Sequence, residues 1–498
     1  MRFQKSFRFP TVAVLLLASA SAIASTQQTA SVAPPQHLRA IRAGLEKDVN
    51  SGKVPSIALA VVCEGQVIWD EALGWADRER KIKATCDTIY PIASVSKSLT
   101  ATGAYLLLQR GKLKLDRSVQ DYLGPVHLTN LRPRGRMPTL GEILVMKGGI
   151  PHYVKYCWED EAAEPVDTPD MLERYGFVCF PPGKHFHYSN LSYGIVDQVI
   201  GQVSGLGFET FMRRELFEPL GMRRTFLRVP AGLKQQRAAV YNYKNQRDRD
   251  YYFYPQGGAG FFSTVHDLMR FAMLHLQQTG SGSEPLLTPE TLRALHGVGA
   301  GYANGWASIK LGAKDRALLS NGELLGAEAT IVIVPSTKTA IVCLTNISGR
   351  PRISDAVAIR IADSLSPGFA KAIEQAESEF EREEQVKRPL AELSGRWEGH
   401  IRLGDASYHL ALHVKDDNTI SVRLDEQEPA RLEEAHFNGQ ALSGGFRGTI
   451  ATTPPGKKTP RIELELLKEG DVLEGVAQAI RPDALPWMAE SYVYLRKK

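Results

Sequence analysis

The chain has 498 residues, 43% apolar and 23% charged, with a formal net charge of +5 at pH 7. That length allows roughly two to four domains, and the composition excludes a disordered or collagen-like chain. So small a charge gives no electrostatic argument for nucleic acid or an anionic membrane as partner.

Residues 1–24 read as a signal peptide. Arg2, Lys5 and Arg8 form a basic start, Thr11 to Ala18 is mostly apolar, and Ala22-Ile23-Ala24 resembles a small-residue cleavage site. Cleavage there would remove three positive charges and leave +2. The apolar run is too short to span a bilayer, no second long run follows, and no cysteine marks a lipid anchor. The expectation is a secreted or periplasmic protein without stable membrane insertion.

Residues 25–366 read as one α/β domain. Helical periodicity over Pro34 to Asn50 leads into an apolar strand, Ser56 to Cys63, and a returning strand, Gln66 to Trp69. A mostly apolar and therefore buried helix follows Ser94 and ends at Gly111. Thr139 to Leu144, Leu191 to Val203 and Phe208 to Phe217 are further helices, and residues 152–187 read as loop and substrate rim. Val265 to Gln277 is a capped helix, Ala329 to Val334 and Thr339 to Thr345 form a hairpin, and Ser354 to Ser364 closes the unit. Strands at both ends predict an antiparallel sheet flanked by helices, with an all-helical subdomain between. Residues 367–392 are rich in glutamate and read as a solvated helical linker. Short alternating strands over residues 393–498 predict a small antiparallel barrel or sandwich with no catalytic constellation of its own.

Five cysteines, an odd number, leave at least one thiol free; Cys157 and Cys179 flank one loop-like stretch and are the pair to test for a disulfide. Cys63 and Cys343 sit in apolar strands as inert thiols. No C-x-x-C pair is present, and His409 and His413 lie in a strand, where that spacing separates them by about 13 Å. Neither a metal nor a cofactor is expected.

The chemistry concentrates at Ser94-Val95-Ser96-Lys97. A spacing of three on a helix places the hydroxyl and the amine on one face, and a desolvated amine can take the proton a serine must lose to become a nucleophile. Alone the tetrapeptide also fits a capped helix start with a solvated lysine. Acyl transfer further needs a proton donor for the leaving group and donors for an oxyanion. Of three Tyr-x-Asn runs, only Tyr188-Ser189-Asn190 sits at a loop-to-helix junction that can aim a side chain into a cleft. His152, His185, His187 and His266 read as rim or packing residues.

These motifs resemble those of the serine β-lactamase-like superfamily, in the branch of class C β-lactamases, D,D-carboxypeptidases and related esterases. Ser94-Val95-Ser96-Lys97 is similar to its first motif and Tyr188-Ser189-Asn190 to its second. Lys147-Gly148-Gly149-Ile150-Pro151, Glu218-Pro219-Leu220-Gly221-Met222 and Gly258-Ala259-Gly260-Phe261-Phe262-Ser263-Thr264 follow in the family's order, over roughly residues 35–365. Residues 393–498 more weakly resemble the lipocalin-like domains that some members carry. The third motif departs: Ser320-Asn321-Gly322 stands where the family has Lys-Thr-Gly or His-x-Gly, and Lys338-Thr339-Ala340 is a decoy in the next hairpin.

The resemblance implies an acyl-enzyme mechanism. Ser94 is the nucleophile, Lys97 and Tyr188 handle protons, and Asn190 orients Lys97 and the substrate. Ser320, Asn321 and Gly322 line the site, and the amides of Ser94 and Glu323 form the oxyanion hole. No Glu-x-x-Leu-Asn run supports a glutamate base. Loss of the cation at Ser320 favours small esters or D-aminoacyl peptides over β-lactams. The alternatives are a β-lactamase proper and a non-catalytic binding or regulatory protein on the same fold. Oligomeric state is left open.

Overall fold

The computed structural model describes residues 32–498 except 133–134, 162–165, 279–284, 298–300, 313–314, 350, 451–458 and 481–486. The expected signal peptide lies outside the described residues.

The strand Ser56–Cys63 explains the first sheet. Its run Ser-Ile-Ala-Leu-Ala-Val-Val-Cys shows no polar alternation because both faces are covered. Ala58, Ala60 and Val62 join one core, while Ile57, Leu59 and Val61 join another on the opposite face. Ser56–Cys63 pairs antiparallel with Gln66–Asp77 and, on its other side, with Thr339–Thr345. The order then continues outward through Ala327–Val334, Arg316–Leu324, Trp306–Lys310 and Gly301–Ala303. N- and C-terminal strands of the α/β unit therefore meet, as the sequence implied.

Helices Arg39–Asn50 and Ile353–Leu365 cover one face through Ile41, Leu45, Val357 and Ile361. The helix Phe369–Gln385 also docks there, burying Phe369 and Ile373, so the expected solvated linker is in part a packed helix. The other face carries Ser96–Gln109, in which every residue from Ser96 to Leu107 is buried. Around it lie Leu140–Leu144, Asn190–Ser204, Phe208–Met212 and Val265–His275. Their starts follow from local chemistry: Thr139 and Glu142 form a capping box, Ser189 accepts from the Ser192 amide, and Thr264 accepts from the Asp267 amide.

Residues 152–187, expected as loop, contain the strand Tyr153–Trp158 and the helix Thr168–Tyr175. The strand was hidden because its partner, Tyr251–Tyr254, lies about a hundred residues away along the chain. All five cysteines are free thiols, so Cys157 and Cys179 are not joined; each is buried.

The C-terminal strands form one antiparallel sheet. Its order runs Ala430–Arg431, Ile420–Leu424, Ala406–Val414, Gly395–Leu403, Trp487–Lys497, Val472–Ile480, Arg461–Glu469, Ala441–Arg447, Glu433–Phe437. The two edge strands are separated only by Leu432, so the sheet must curl until its edges approach, giving a nearly closed barrel. Trp397, Leu410, Leu464 and Leu495 fill its interior. Strand Trp487–Lys497 outruns the barrel: Trp487, Met488 and Ala489 pair with Lys155, Val154 and Tyr153. The barrel is thus joined by backbone hydrogen bonds to the strand that walls the candidate site.

Candidate active site

The site begins at a single 3-10 turn, Ala93–Val95, that feeds the buried helix. Ser94 sits on this turn and Lys97 one turn further along. Lys97 Nζ lies 3.1 Å from Ser94 Oγ, 2.6 Å from Asn190 Oδ1 and 2.7 Å from the Gly258 carbonyl oxygen. Asn190 and Gly258 offer only acceptors here, so they take two N–H bonds of the amine. A neutral amine then has its lone pair left for the Ser94 hydroxyl. Lys97 is only 1% exposed, and desolvation holds its pKa well below the usual lysine range.

The Tyr188 hydroxyl is 2.7 Å from Ser94 Oγ. Burial of the phenol pushes its pKa up, to about 12, against the opposing effects of the Ser94 hydrogen bond and the nearby Arg352. Tyr188 as a residue stays 38% exposed, which tempers that shift and leaves it at the pocket wall. Its ring also lies over the amine, with Lys97 Nζ 4.7 Å from the centroid. Tyr188 is placed by its neighbours: the Ser189 hydroxyl donates to the Pro151 carbonyl and caps the following helix, and the His187 amide donates to the Met146 carbonyl.

Gly322 brings the edge of the site against Ser94. A Cβ there would lie 2.3 Å from the Ser94 amide nitrogen. Only glycine lets strand Arg316–Leu324 run this close to that donor. Gly258 has a related role: a Cβ would stand 3.0 Å from the Asn190 carbonyl, so the glycine-rich turn can deliver its own carbonyl to Lys97.

Ser94, Lys97, Tyr188, Asn190, Ser320, Asn321, Gly322 and Glu323 all line one pocket of about 510 Å³. Ser320 is buried, and its hydroxyl reaches the Ser98 hydroxyl, at 3.4 Å. The Asn321 amide donates to Asp355, 2.8 Å away, so helix Ile353–Leu365 fixes its orientation. His266 bridges Asp70 and Asp87, away from the pocket, consistent with a packing role.

His152, read from the sequence as a rim or packing residue, lines the pocket, and several other lining residues were not assigned to it from the sequence: Tyr156, Phe253 and Tyr302 add aromatic walls, and Arg352 adds a cation. Arg352 is held 3.2 Å from Asp355 and is about one-third exposed. Ser320 leaves this strand without a cation, as expected, but Arg352 places one elsewhere on the pocket wall. Arg352 lies outside any local motif, at the residue just before helix Ile353–Leu365.

A family model described as Beta-lactamase matches residues 38–364. The protein flp of Staphylococcus aureus (strain COL) is 26% identical over 207 residues, 41% of this chain and 39% of that protein. The human mitochondrial serine beta-lactamase-like protein LACTB is 26% identical over 317 residues, 48% of this chain and 58% of that protein. The chain thus spans less than two-thirds of these relatives. Among solved structures, the octameric penicillin-binding protein homologue from Pyrococcus abyssi superposes with a TM-score of 0.57 at 18% identity, covering 92% of this chain and all of that one. A β-lactamase/D-alanine carboxypeptidase from Pseudomonas syringae gives a TM-score of 0.55 at 20% identity, covering 66% of this chain and 98% of that one. These likenesses show the fold.

Proposed function

The chain belongs to the β-lactamase family, and on that footing we propose that it is an exported serine hydrolase that cleaves small esters or D-aminoacyl peptides through an acyl-enzyme on Ser94. The observation that carries this reading is the buried Lys97 amine, 3.1 Å from Ser94 Oγ, beside a tyrosine hydroxyl 2.7 Å from the same oxygen.

In this mechanism Ser94 Oγ attacks the carbonyl carbon while its proton passes to the Lys97 amine, directly or through the Tyr188 hydroxyl. The oxyanion accepts hydrogen bonds from the amides of Ser94 and Glu323. Collapse breaks the bond to the leaving group, which takes a proton from Tyr188; Lys97 returns that proton to the phenol. Water then repeats the sequence on the ester. Asn190 and the Gly258 carbonyl hold the amine on line without adding a negative charge that would keep it protonated.

A second reading, β-lactam hydrolysis, is supported by Arg352, which could pair with a substrate carboxylate from the pocket wall. Export rests on the basic, apolar and small-residue order of residues 1–24, and among the described residues no helix is long and apolar enough to cross a membrane.

The test is a hydrolysis screen over nitrophenyl esters, D-aminoacyl peptides and a chromogenic cephalosporin, with fluorescent phosphonate labelling of wild type and Ser94→Ala. Labelling of wild type alone supports the enzyme. No label with any acylating or phosphonylating probe would favour a binding protein on this fold.

A further inference from the structure

His187, the residue before Tyr188, is gripped from the C-terminal barrel. Its Nε2 lies 2.9 Å from Glu490 Oε2, and its Nδ1 lies 3.2 Å from Glu465 Oε2. A neutral imidazole has one N–H, so only the imidazolium donates to both carboxylates. His187 and Glu490 are 8% and 7% exposed, respectively, which removes most solvent screening. The other Glu465 oxygen is 2.7 Å from His185 Nε2.

The same Glu490 oxygen also accepts from the His152 backbone amide, at 2.6 Å. His152 in turn accepts, at Nδ1, from the Asn190 amide. Burial, the His187 cation and Lys97 push His152 down to about 3, so its ring is neutral and Nδ1 is free to accept. Tyr188 therefore sits between two anchors, residues 187 and 190, that both trace to one carboxylate on strand Trp487–Lys497. An apolar contact backs this: Phe180, in the same loop, packs against Leu467, Val476 and Tyr492 of the barrel.

We propose that Glu465 and Glu490 are positioning residues for the Tyr188 hydroxyl, acting through the His187 imidazolium, so that the C-terminal barrel is part of the catalytic apparatus. The proposal rests on the reading of Ser94 as the nucleophile. Neither glutamate lines the pocket, so neither touches substrate. The charged and titratable groups facing His187 are Glu490 and Glu465 from the barrel, His185 from its own loop and His152 from the pocket wall. Against the lowering effect of desolvation, the two carboxylates raise His187 to about 10.

The experiment measures burst-phase acylation by a nitrophenyl ester, from pH 6 to 10.5, in full-length wild type, Glu490→Gln and Glu465→Gln. The expected result is an acylation rate lowered roughly tenfold or more, with KM changed less than about twofold. The alkaline fall of that rate should also move to lower pH, because His187 loses half of the charge that keeps it protonated. Wild-type rates with an unmoved alkaline limb in both variants overturn the proposal. If Glu490→Gln does not fold, Glu465→Gln decides, since its carboxylate is 36% exposed and leaves no buried backbone donor unpaired. Loss of wild-type acylation on chelation, restored by zinc, also overturns it, because His185, His187 and Glu465 would then be metal ligands. A wild type that no acylating probe labels defeats the nucleophile reading itself, a result distinct from equal rates across the three proteins.

Discussion

The Lys97 amine and the Ser94 hydroxyl stand 3.1 Å apart at the bottom of a pocket in which the amine's other two partners are an amide oxygen and a peptide carbonyl. This arrangement desolvates the ammonium without offering it a counter-charge, so the neutral amine is favoured and is held ready to accept a proton. Burial raises the Asp197 carboxyl to about 8 against the hydrogen bond it accepts from the Gly257 amide, next to the Gly258 whose carbonyl meets Lys97.

Lys97→Ala is expected to leave the fold intact and to lower acylation by about 10²–10⁴-fold. The helix is fixed by its apolar neighbours, but Asn190 Oδ1 and the Gly258 carbonyl lose a donor, costing about 1–3 kcal/mol. Stopped-flow acylation and denaturant unfolding check the two parts. Turnover near the wild-type rate would remove Lys97 from the mechanism.

Gly322→Ala places a methyl group 2.3 Å from the Ser94 amide nitrogen. The obstacle is backbone, which cannot rotate away, so strand Arg316–Leu324 must retreat from the nucleophile. Loss of acylation of about 10²-fold is expected, the order seen when a single oxyanion donor is displaced. Unchanged kinetics would mean that this strand does not border the reacting carbonyl.

Arg352→Ala is expected to lower kcat/KM about tenfold for carboxylate-bearing substrates while sparing neutral nitrophenyl esters, because only the former have an anion for the guanidinium to hold. Ser320→Lys should raise activity on the same carboxylate-bearing set. Selectivity that ignores both substitutions would show that the substrate carboxylate, if present, points elsewhere.

The His187 clamp predicts a stability optimum with two limbs. His187 is raised from its ordinary 6.5 to about 10, so its contribution is complete below 6.5 and is lost as pH rises through about 10. Desolvation would raise Glu465, but its bonds to His185 and His187 hold it below the usual carboxylate range. Its contribution is therefore present above about 4.5 and is lost as pH falls past the carboxylate range. Thermal unfolding from pH 3 to 11 should show both losses in wild type. In His187→Asn the alkaline loss should be absent; an alkaline limb that persists there belongs to other groups.

Local chemistry is what made most of the candidate site residues readable. Ser94 and Lys97 are three residues apart across the 3-10 turn that feeds one helix, and Tyr188 and Asn190 flank the serine that caps another, so short-range geometry alone places each pair. The central strands could be read for a similar reason: hydrophobic runs such as Ile331-Val332-Ile333 can only be buried on both faces. The strand Tyr153–Trp158 had no such signal, because its fitness as a strand depends on partners at Tyr251–Tyr254 and Met488.

By itself, then, the order of residues determined the α/β sheet and the buried helix, which rest on periodicity and capping within a few residues, and it singled out Ser94, Lys97, Tyr188 and Asn190 as candidates through short motifs whose roles only the family resemblance implied. Only the tertiary structure decided what surrounds them. One of the two acceptors on Lys97 is a carbonyl 161 residues away, and the carboxylate that grips His187 is 303 residues away. Arg352 becomes a pocket residue only when helix Ile353–Leu365 packs on the sheet. Pairings at such separations carry no local signature, because desolvation and charge pairing act through space and become visible only when packing has brought the groups together.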